Sequence, residues 1–262
     1  MAYRRIRSEA ILLRLVDFGE SDRIVHLLCP EVGRLTAIAK GARRSVKRFG
    51  GSLDLCNLLR VQVEKRRPTS MARIDQAILV HPFLGLRERP ARFALACYLV
   101  EIVDRMAPED GPRADLEAIY YFLRSALRLI ETQPVDTRLQ VLLELRALSV
   151  LGLRPELRQC VACGRETGPE PRVSFGVADG GVLCGACGLR SESRLEVHLG
   201  TLRALSQGLE MPLSGLARIR MDPEALMEAK GLVTRFQRFH AGLDLRSEQV
   251  LEELLAPGRA EI

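Results

Sequence analysis

Four of the seven cysteines stand in two pairs of equal spacing, Cys160-x-x-Cys163 and Cys184-x-x-Cys187, with 20 residues between the pairs. A Cys-x-x-Cys turn directs two thiolates at one ion, so two such turns supply the closed four-thiolate shell of structural zinc sites. A closed shell leaves no coordination position for substrate or water. We therefore expect one structural Zn²⁺ and no metal catalysis.

The residues around these pairs predict a zinc ribbon. Gly164 and Gly188 each follow a second cysteine, where a knuckle often needs unusual backbone angles. The turn at residues 179–181, Asp-Gly-Gly, is predicted to join two short strands at 173–177 and 182–183. Two disulfides are the alternative, which a cytosolic environment disfavours because it keeps thiols reduced.

The sequence gives little evidence for reactive residues outside the two cysteine pairs. Three further cysteines have no partner at ligand spacing, and we interpret them as buried packing residues: Cys29, Cys56 and Cys97. The sequence contains no Walker phosphate loop, no Gly-x-Ser-x-Gly elbow and no His-Glu-x-x-His motif. No histidine stands in the His-x-Glu pattern that a zinc deaminase requires, so we predict that the protein is not an enzyme.

Positive charge is concentrated in the first third of the chain. Residues 1–80 hold 16 Lys+Arg against 8 Asp+Glu, whereas the other 182 residues hold 23 against 25. A basic N-terminal region attracts a polyanion because bound phosphates release their counterions. Arg enrichment in the genome would explain the choice of Arg over Lys but not this segregation, so we favour a nucleic-acid partner.

One segment carries the densest charge, and we call residues 40–51, KGARRSVKRFGG, the basic loop. No acidic residue occurs between Glu31 and Asp54, and the glycines of the basic loop give it freedom to move. Phe49 could add one stacking contact. The predicted DNA-binding residues of the barrel region are Arg34, Lys40, Arg43, Arg44, Lys47, Arg48, Lys65, Arg66 and Arg67.

The scarcity of aromatic residues limits the mode of binding. Residues 1–80 hold only Tyr3, Phe18 and Phe49 as aromatic side chains, too few for a row of stacked bases. Affinity should therefore be mainly electrostatic, independent of base sequence and steeply dependent on salt. The second cluster, 65–67, either extends the basic patch or caps a strand, and the sequence favours neither.

Alternating apolar residues predict a small barrel that would position the basic loop. The predicted strands are 11–18, 23–29, 34–40, 58–65 and 74–80. Five short strands with a long connection after the third indicate an OB-fold, and an SH3-like barrel fits almost as well. The basic loop would then lie beside the usual ligand-binding face of the barrel.

From Pro82 the apolar period becomes helical. Pro90 should open a helix, and Thr137 to Leu151 is apolar on two faces, as in the central helix of a bundle. After the cysteines the helical pattern resumes at Leu195, and Asp222 is a plausible N-cap with Pro223 behind it. Apolar stripes are predicted at Leu95, Leu99, Ile102 and Met106, at Leu116, Ile119, Leu123, Leu127 and Ile130, and at Leu195, Leu199, Leu202 and Leu209.

These elements predict a multidomain α+β protein. We expect an OB-fold DNA-binding domain at 1–81 and a helical domain whose two parts, 82–155 and 193–262, flank the zinc ribbon at 156–192. No apolar run reaches the length of a membrane span, and no cleavage site follows the basic N-terminus. The predicted location is therefore the cytoplasm, in association with the nucleoid.

The order of the motifs resembles the bacterial RecO family of DNA repair proteins along nearly the whole chain. The matching segments are FGESDRIVHLL (18–28), GRLTAIAKGARR…RFGG (33–51), GLRPELRQCVACG (152–164) with its later Cys184-x-x-Cys187, and GLDLRS (242–247). The rest of the C-terminal third is diverged.

The resemblance implies a recombination mediator that binds single- and double-stranded DNA and anneals complementary strands. It also implies assistance to the RecA recombinase in replacing single-stranded DNA-binding protein, together with RecR and in some cases RecF. Many relatives lack the cysteines, so the zinc prediction rests on this chain's own four.

Two other functions remain as alternatives. A sequence-specific transcription factor would use the zinc ribbon, but arginines are spread along that segment without a dense cluster. A zinc hydrolase or deaminase is disfavoured by the closed ligand shell.

Overall fold

A closed five-stranded barrel begins the chain. The computed structural model describes residues 4–65, 71–166, 168, 170–191 and 194–256. The strands are β1 (Arg4–Phe18), β2 (Asp22–Cys29), β3 (Gly33–Ala39), β4 (Leu58–Lys65) and β5 (Ala72–His81). They follow the order β1-β2-β3-β5-β4, with β4 closing on β1 and β3 parallel to β5. This order is that of the OB-fold, which decides between the two barrels that fitted the sequence.

The first strand is longer than predicted, because it begins at Arg4 and not at Ile11. The early half of β1 pairs with β4 and the later half with β2. Arg5 and Arg7 are exposed while Ile6 packs against the barrel core. The basic start of the strand therefore conceals its alternation, because its only large apolar residue lies between arginines.

The core of the barrel consists of inward-facing residues from all five strands, of which alternation predicted those in β3 and β4. They are Leu12, Val25, Leu27, Ala37, Ala39, Leu59, Val61, Val63 and Ile74, each no more than 1% exposed. Between β3 and β4 the chain forms one turn of helix, α1 (Val46–Phe49). The apolar side chains fill the inside of the barrel, and the basic loop lies outside it.

Helices complete the first of two compact units, which comprises Met1–Pro134 and Leu245–Ile262. These helices are α2 (Leu84–Arg87), α3 (Pro90–Met106), α4 (Arg113–Thr132) and, from the far end of the chain, α9 (Arg246–Leu255). The stripe predicted on α4 is buried, and so are Leu95, Leu99 and Ile102 of the α3 stripe. Glu101 on α3 accepts hydrogen bonds from the backbone N–H groups of Arg246 and Ser247, which satisfies free donors at the start of α9.

The second unit, Val135–Asp244, surrounds helix α5 (Thr137–Val150). The two-faced apolar pattern is confirmed, because Leu139, Leu142 and Leu145 are all buried. The remaining elements are β6 (Arg172–Gly176), β7 (Gly181–Leu183), α6 (Gly185–Gly188), β8 (Arg194–His198), α7 (Leu199–Glu210), a 3-10 helix (Leu213–Arg218) and α8 (Pro223–Ala241).

The prediction that Leu195 starts a helix is wrong. Leu195 lies in β8, which pairs antiparallel with β6, and the helix starts at Leu199. Leu195 and Val197 alternate as in a strand. Leu195 is also four residues before Leu199, the first residue of the helix, so it fits the helical spacing as well. The predicted cap of α8 is confirmed, since the Asp222 carboxylate accepts from the N–H of Ala225 at 2.8 Å. Among the described residues, no helix has the length and apolar character of a membrane span.

Candidate metal centre and nucleic-acid interface

The four paired cysteines come together as predicted. The sulfur atoms of Cys160, Cys163, Cys184 and Cys187 all lie within 4.8 Å of one another. The Sγ atoms of Cys163 and Cys184 are 3.7 Å apart. Zinc–thiolate bonds of about 2.3 Å in a tetrahedron place sulfurs about 3.8 Å apart, so this spacing matches a zinc shell. The four thiols can hold a metal ion.

Two similar turns present these sulfurs. The N–H of Gly164 donates to the Cys160 carbonyl, and the N–H of Gly188 donates to the Cys184 carbonyl, both at 2.8 Å. Gly164 has a φ of +73°, so its predicted unusual backbone is confirmed. Gly188 serves a different purpose, because a Cβ there would lie 2.8 Å from the Ser174 hydroxyl oxygen. Close packing against β6, and not a positive φ, requires that glycine.

A hairpin joins the two turns. Strands β6 and β7 pair through the predicted turn, with Gly176 opposite Gly181. The N–H of Val161, inside the first cysteine turn, donates to the Val182 carbonyl at 3.0 Å. Because Val182 lies just before the second cysteine pair, one backbone hydrogen bond ties the two pairs together. The sequence did not predict the third strand of this sheet, β8.

Backbone donors prepare the thiols to be thiolates. Burial acts to raise the pKa of Cys160, but N–H groups of Cys184, Ala162 and Cys163 lower it to about 6. The N–H of Cys187 lowers the pKa of Cys184. The pKa of Cys187 is raised to about 12, first by its hydrogen bond to Cys184, because neighbouring sulfurs disfavour a further thiolate. A divalent cation removes that repulsion by deprotonating its ligands.

The basic loop brings together four of the predicted cations on one exposed segment. The side chains of Lys40, Arg43, Arg44 and Lys47 are exposed. The ion pairs of this segment are long, 3.9 Å from Arg43 to Asp17 and 3.8 Å from Arg44 to Glu20. Such exposed, long pairs contribute little to stability.

Hydrogen bonds attach the basic loop to the β1–β2 turn. The N–H of Gly41 donates to the Asp22 carboxylate at 2.7 Å, and the N–H of Arg43 donates to the Ser21 carbonyl at 3.0 Å. The half-buried Arg48 donates to the Lys40 carbonyl and, at 3.3 Å, to the Ser45 hydroxyl. Arg48 therefore closes the loop on itself and leaves the other four cations to face outward.

The prediction that Phe49 stacks on a base is wrong. Phe49 is only 3% exposed and belongs to the barrel core. The Arg48 guanidinium lies 5.0 Å from the centre of its ring. The buried ring of Phe49 thus attaches the basic loop to the barrel core. Phe18, 53% exposed opposite Asp22 in the β1–β2 pairing, is the accessible aromatic side chain among the described residues up to position 80.

The basic loop borders a shallow cavity of about 290 Å³. Arginines line one part of it, and backbone and apolar groups line the rest. The arginines are Arg23, Arg43 and Arg44, and the other wall includes Val46, Gly50, Gly51 and Leu53.

Of the other predicted DNA contacts that the structure describes, Arg34 lies away from the basic loop, whereas Lys65 lies at the end of the barrel where β3 leads into the basic loop. Arg34 lies at the opposite end of β3 and donates to Glu109 at 2.7 Å. Lys65 ends β4, opposite Arg4 of β1. The predicted contacts Arg66 and Arg67 lie outside the described residues.

Of the three cysteines interpreted as buried packing residues, Cys29 and Cys56 are buried, and Cys97 is partly exposed. One grouping was not predicted from the sequence. His198 lies with Glu224 and Glu228 in a group whose ligand atoms could hold a metal. The charges of this group are already paired, because Arg172 forms ion pairs with both glutamates. No spacing signal in the sequence marks this grouping.

An OB-fold barrel with a basic loop, helices and a four-cysteine ribbon defines the class as a multidomain OB-fold protein whose ribbon can hold a metal ion. Comparison with known families and proteins refines it. The family "Recombination protein O N terminal" matches residues 1–83, and "Recombination protein O C terminal" matches residues 87–249.

Individual relatives match along nearly their whole length. DNA repair protein RecO of Anaeromyxobacter dehalogenans (strain 2CP-C) is 35% identical over 253 residues, covering 95% of this chain and 97% of the relative. DNA repair protein RecO of Myxococcus xanthus (strain DK1622) is also 35% identical, with 95% and 98% covered. The relative from Syntrophus aciditrophicus (strain SB) is 30% identical, with 96% and 97% covered. The chain belongs to the RecO family, and its role lies in DNA repair and recombination.

Proposed function

We propose that this chain is a non-enzymatic recombination mediator that binds single- and double-stranded DNA without sequence specificity and anneals complementary strands. The observation that carries the proposal is the group of four exposed cations on the basic loop, beside a barrel of the OB type. Two complementary strands repel each other, and a cationic surface lowers this repulsion by neutralising phosphates. The bases stay free to pair because the described aromatic residues form no stacking platform.

The proposed site has a central and a peripheral part. Lys40, Arg43, Arg44 and Lys47 contact phosphates directly, and Arg48 shapes the loop that carries them. Lys65, at the end of β4, extends the positive surface, and Arg66 and Arg67, which follow it in the sequence, are proposed as further phosphate contacts. Long ion pairs and exposed side chains suit contacts that form and break quickly, as transfer between strands requires.

The metal centre has a separate role in this proposal. One Zn²⁺ bound by Cys160, Cys163, Cys184 and Cys187 holds the two cysteine turns together, because the donor set and the sulfur spacing fit tetrahedral zinc. With four thiolates bound, the ion would have no open position for chemistry. Its function is to stabilise the ribbon.

Membership of the RecO family supports a wider role. We propose that the protein acts in the cytoplasm at the nucleoid and helps RecA replace single-stranded DNA-binding protein on DNA. RecR would be its partner in this reaction, with RecF as a further candidate.

The decisive experiment is charge reversal in the basic loop. The double variant Arg43→Glu/Arg44→Glu should bind single- and double-stranded DNA at least 10-fold more weakly, because two phosphate contacts become repulsions. The annealing rate should fall in parallel. A gel-shift titration and a fluorescence annealing assay on strands of unrelated sequence measure both effects.

A matched control changes the same net charge elsewhere. Arg203 on α7 and Arg235 on α8 are exposed, and Arg203→Glu/Arg235→Glu should leave affinity and annealing close to wild type. Equal loss in both double variants would indicate that overall charge, and not the basic loop, controls binding. Unchanged affinity in the loop variant would refute the proposed site.

A further inference from the structure

The connection between β1 and β2 concentrates negative charge beside the most basic segment of the protein. Residues 17–22, DFGESD, contain three carboxylates and no basic side chain, and we call them the acidic turn. The acidic turn leads into β2 and the basic loop follows β3, and these two strands are neighbours in the barrel. Two segments of opposite charge therefore meet at one end of the barrel.

The backbone fixes the acidic turn against the basic loop. Arg23, just after the acidic turn, is paired with Ala39, just before the basic loop, in the register of β2 and β3. The N–H of Gly41 donates to the Asp22 carboxylate at 2.7 Å. These contacts keep the carboxylates of the acidic turn close to the basic loop whichever rotamers the exposed side chains adopt.

Two of the exposed arginines face two of these carboxylates. The Arg43 guanidinium lies 3.9 Å from the Asp17 carboxylate, and the Arg44 guanidinium lies 3.8 Å from the Glu20 carboxylate. Arg43 also donates to the backbone carbonyl of Glu20 at 3.4 Å. The Asp17 and Glu20 side chains are 54% and 93% exposed. Both carboxylates can therefore move away from the arginines without leaving water.

The other end of the basic loop has a different environment. Lys47 lies in α1 and is exposed, and no carboxylate of the described residues forms an ion pair with its ammonium group. The charge of the basic loop is thus compensated locally at Arg43 and Arg44 and left uncompensated at Lys47. A polyanion meets a competing carboxylate at two of its contacts and none at the third.

We propose that the acidic turn limits the affinity of the basic loop for DNA and speeds the release of a bound strand. This role rests on the proposed function, in which Arg43 and Arg44 bind phosphates. In the free protein, Asp17 and Glu20 are internal counter-ions of the two arginines, and a phosphate replaces each carboxylate when DNA binds. Because the competing carboxylates belong to the same chain, their effective concentration is high and does not fall on dilution.

Release of a strand follows from the same contacts. The displaced carboxylates stay within reach of the bound phosphates and repel them, and they pair with the arginines again when a phosphate leaves. The departing strand therefore does not expose uncompensated arginines. Lys47 holds the strand while the contacts at Arg43 and Arg44 open, so that release proceeds contact by contact.

Isosteric neutralisation of the acidic turn tests this role in the full-length protein. In water, a like charge about 7 Å from a phosphate lowers affinity roughly threefold. Asp17→Asn/Glu20→Gln should therefore bind a single-stranded oligonucleotide about 3- to 10-fold more tightly than the wild type. Fluorescence anisotropy measures the affinity. Stopped-flow dissociation into an excess of unlabelled strand should show that most of the gain is slower release.

A matched control removes two carboxylates from another part of the first unit. Asp115 and Glu117 lie near the start of α4, and Glu117 forms an ion pair with Arg113 at 2.7 Å. The segment before α4 contacts the start of β3, the end away from the basic loop, where the N–H of Arg34 donates to the Pro108 carbonyl. Asp115→Asn/Glu117→Gln changes the net charge equally and also releases an arginine, yet it should leave affinity and dissociation rate close to wild type.

The outcomes separate this role from the proposed function. An equal gain in both double variants would overturn the role, because net charge would then explain the effect. Unchanged affinity and dissociation in Asp17→Asn/Glu20→Gln, with lost affinity in Arg43→Glu/Arg44→Glu, would overturn it and leave the proposed function intact. No change in either variant would refute both. If the double variant does not fold, Glu20→Gln alone should still bind about threefold more tightly, since its carboxylate is almost fully exposed.

Discussion

The four-cysteine ribbon and the basic loop both rely on glycine-containing turns, yet they present their chemistry in opposite ways. In the ribbon, four sulfurs face one another within 4.8 Å. In the basic loop, Lys40, Arg43, Arg44 and Lys47 all face solvent. The ribbon is therefore suited to hold one small ion permanently, and the loop to hold a long polyanion briefly.

The difference shows how each kind of site depends on geometry. A metal shell tolerates only tenths of an ångström, so its sequence spacing is strict and readable. Phosphate neutralisation acts over the Debye length of about 8–10 Å, so a basic loop needs charge density and not fixed distances. Losing one ligand should damage the ribbon severely, whereas losing one cation should weaken the loop gradually.

The largest effect is expected from removing a zinc ligand. Cys163→Ser should lose most of the bound zinc and destabilise the ribbon by several kcal/mol, since structural sites contribute about 10–16 kcal/mol. Cys187→His is the matched variant and should retain zinc, because imidazole is also a zinc ligand. Elemental analysis and hydrogen exchange at Val182 measure the two effects. A large fall in DNA affinity in Cys163→Ser would break the division between a structural ribbon and a binding loop.

The next effect concerns the anchor of the basic loop. Phe49→Ala should destabilise the first unit by about 3–5 kcal/mol, because it empties a site in the barrel core. Phe49→Leu should retain most of the stability and nearly all DNA affinity, because Phe49 is buried and cannot stack on a base. Urea unfolding measures the stability of each variant, and a DNA-binding titration measures its affinity. A folded Phe49→Leu protein with strongly reduced affinity would restore the stacking hypothesis.

A smaller effect distinguishes two cations. Lys47→Ala should reduce the slope of log affinity against log salt by about 0.7 on single strands and 0.9 on duplex, the effect of one lost phosphate contact. Arg34→Ala should leave the slope unchanged, because Arg34 pairs with Glu109 at 2.7 Å. DNA-binding titrations at several salt concentrations give the slope for each of the two variants. Equal slope changes would place the DNA path over both ends of β3.

The smallest effect is a pH step at the base of the loop. The N–H of Gly41 lowers the pKa of Asp22 below its ordinary 3.8. A lowered folded pKa means that the contribution is complete above 3.8 and is lost as the pH falls through the folded value. The Gly41 amide resonance should shift over that range in an NMR titration. Asp22→Asn keeps an acceptor that does not titrate, so a step that persists there would have another origin.

Strict spacing explains why the metal centre was predictable. The cysteine pairs, the hairpin turn and Gly164 are all encoded within a few neighbouring residues. The barrel was recognisable from alternation in β3 and β4, although the alternation did not distinguish an OB-fold from an SH3-like barrel. That choice depends on the parallel pairing of β3 with β5, which is a long-range contact.

What the sequence did not reveal depends on tertiary contacts. Phe49 stands within a basic segment and resembles a binding residue until the barrel closes over its ring. Leu195 fits a helical stripe as well as a strand, and only its pairing with β6 decides. Local patterns do not specify such distant pairs.

The hydrogen bonds from the start of α9 to Glu101 have a consequence for biosynthesis. The chain leaves the first unit at Pro134 and returns to it at Leu245. During vectorial translation, the whole second unit therefore emerges from the ribosome before the last helix of the first. During that interval the Glu101 carboxylate lacks the hydrogen bonds that it later accepts from the backbone N–H groups of Arg246 and Ser247. The N-terminal barrel is synthesised first, but the unit that contains it is completed last.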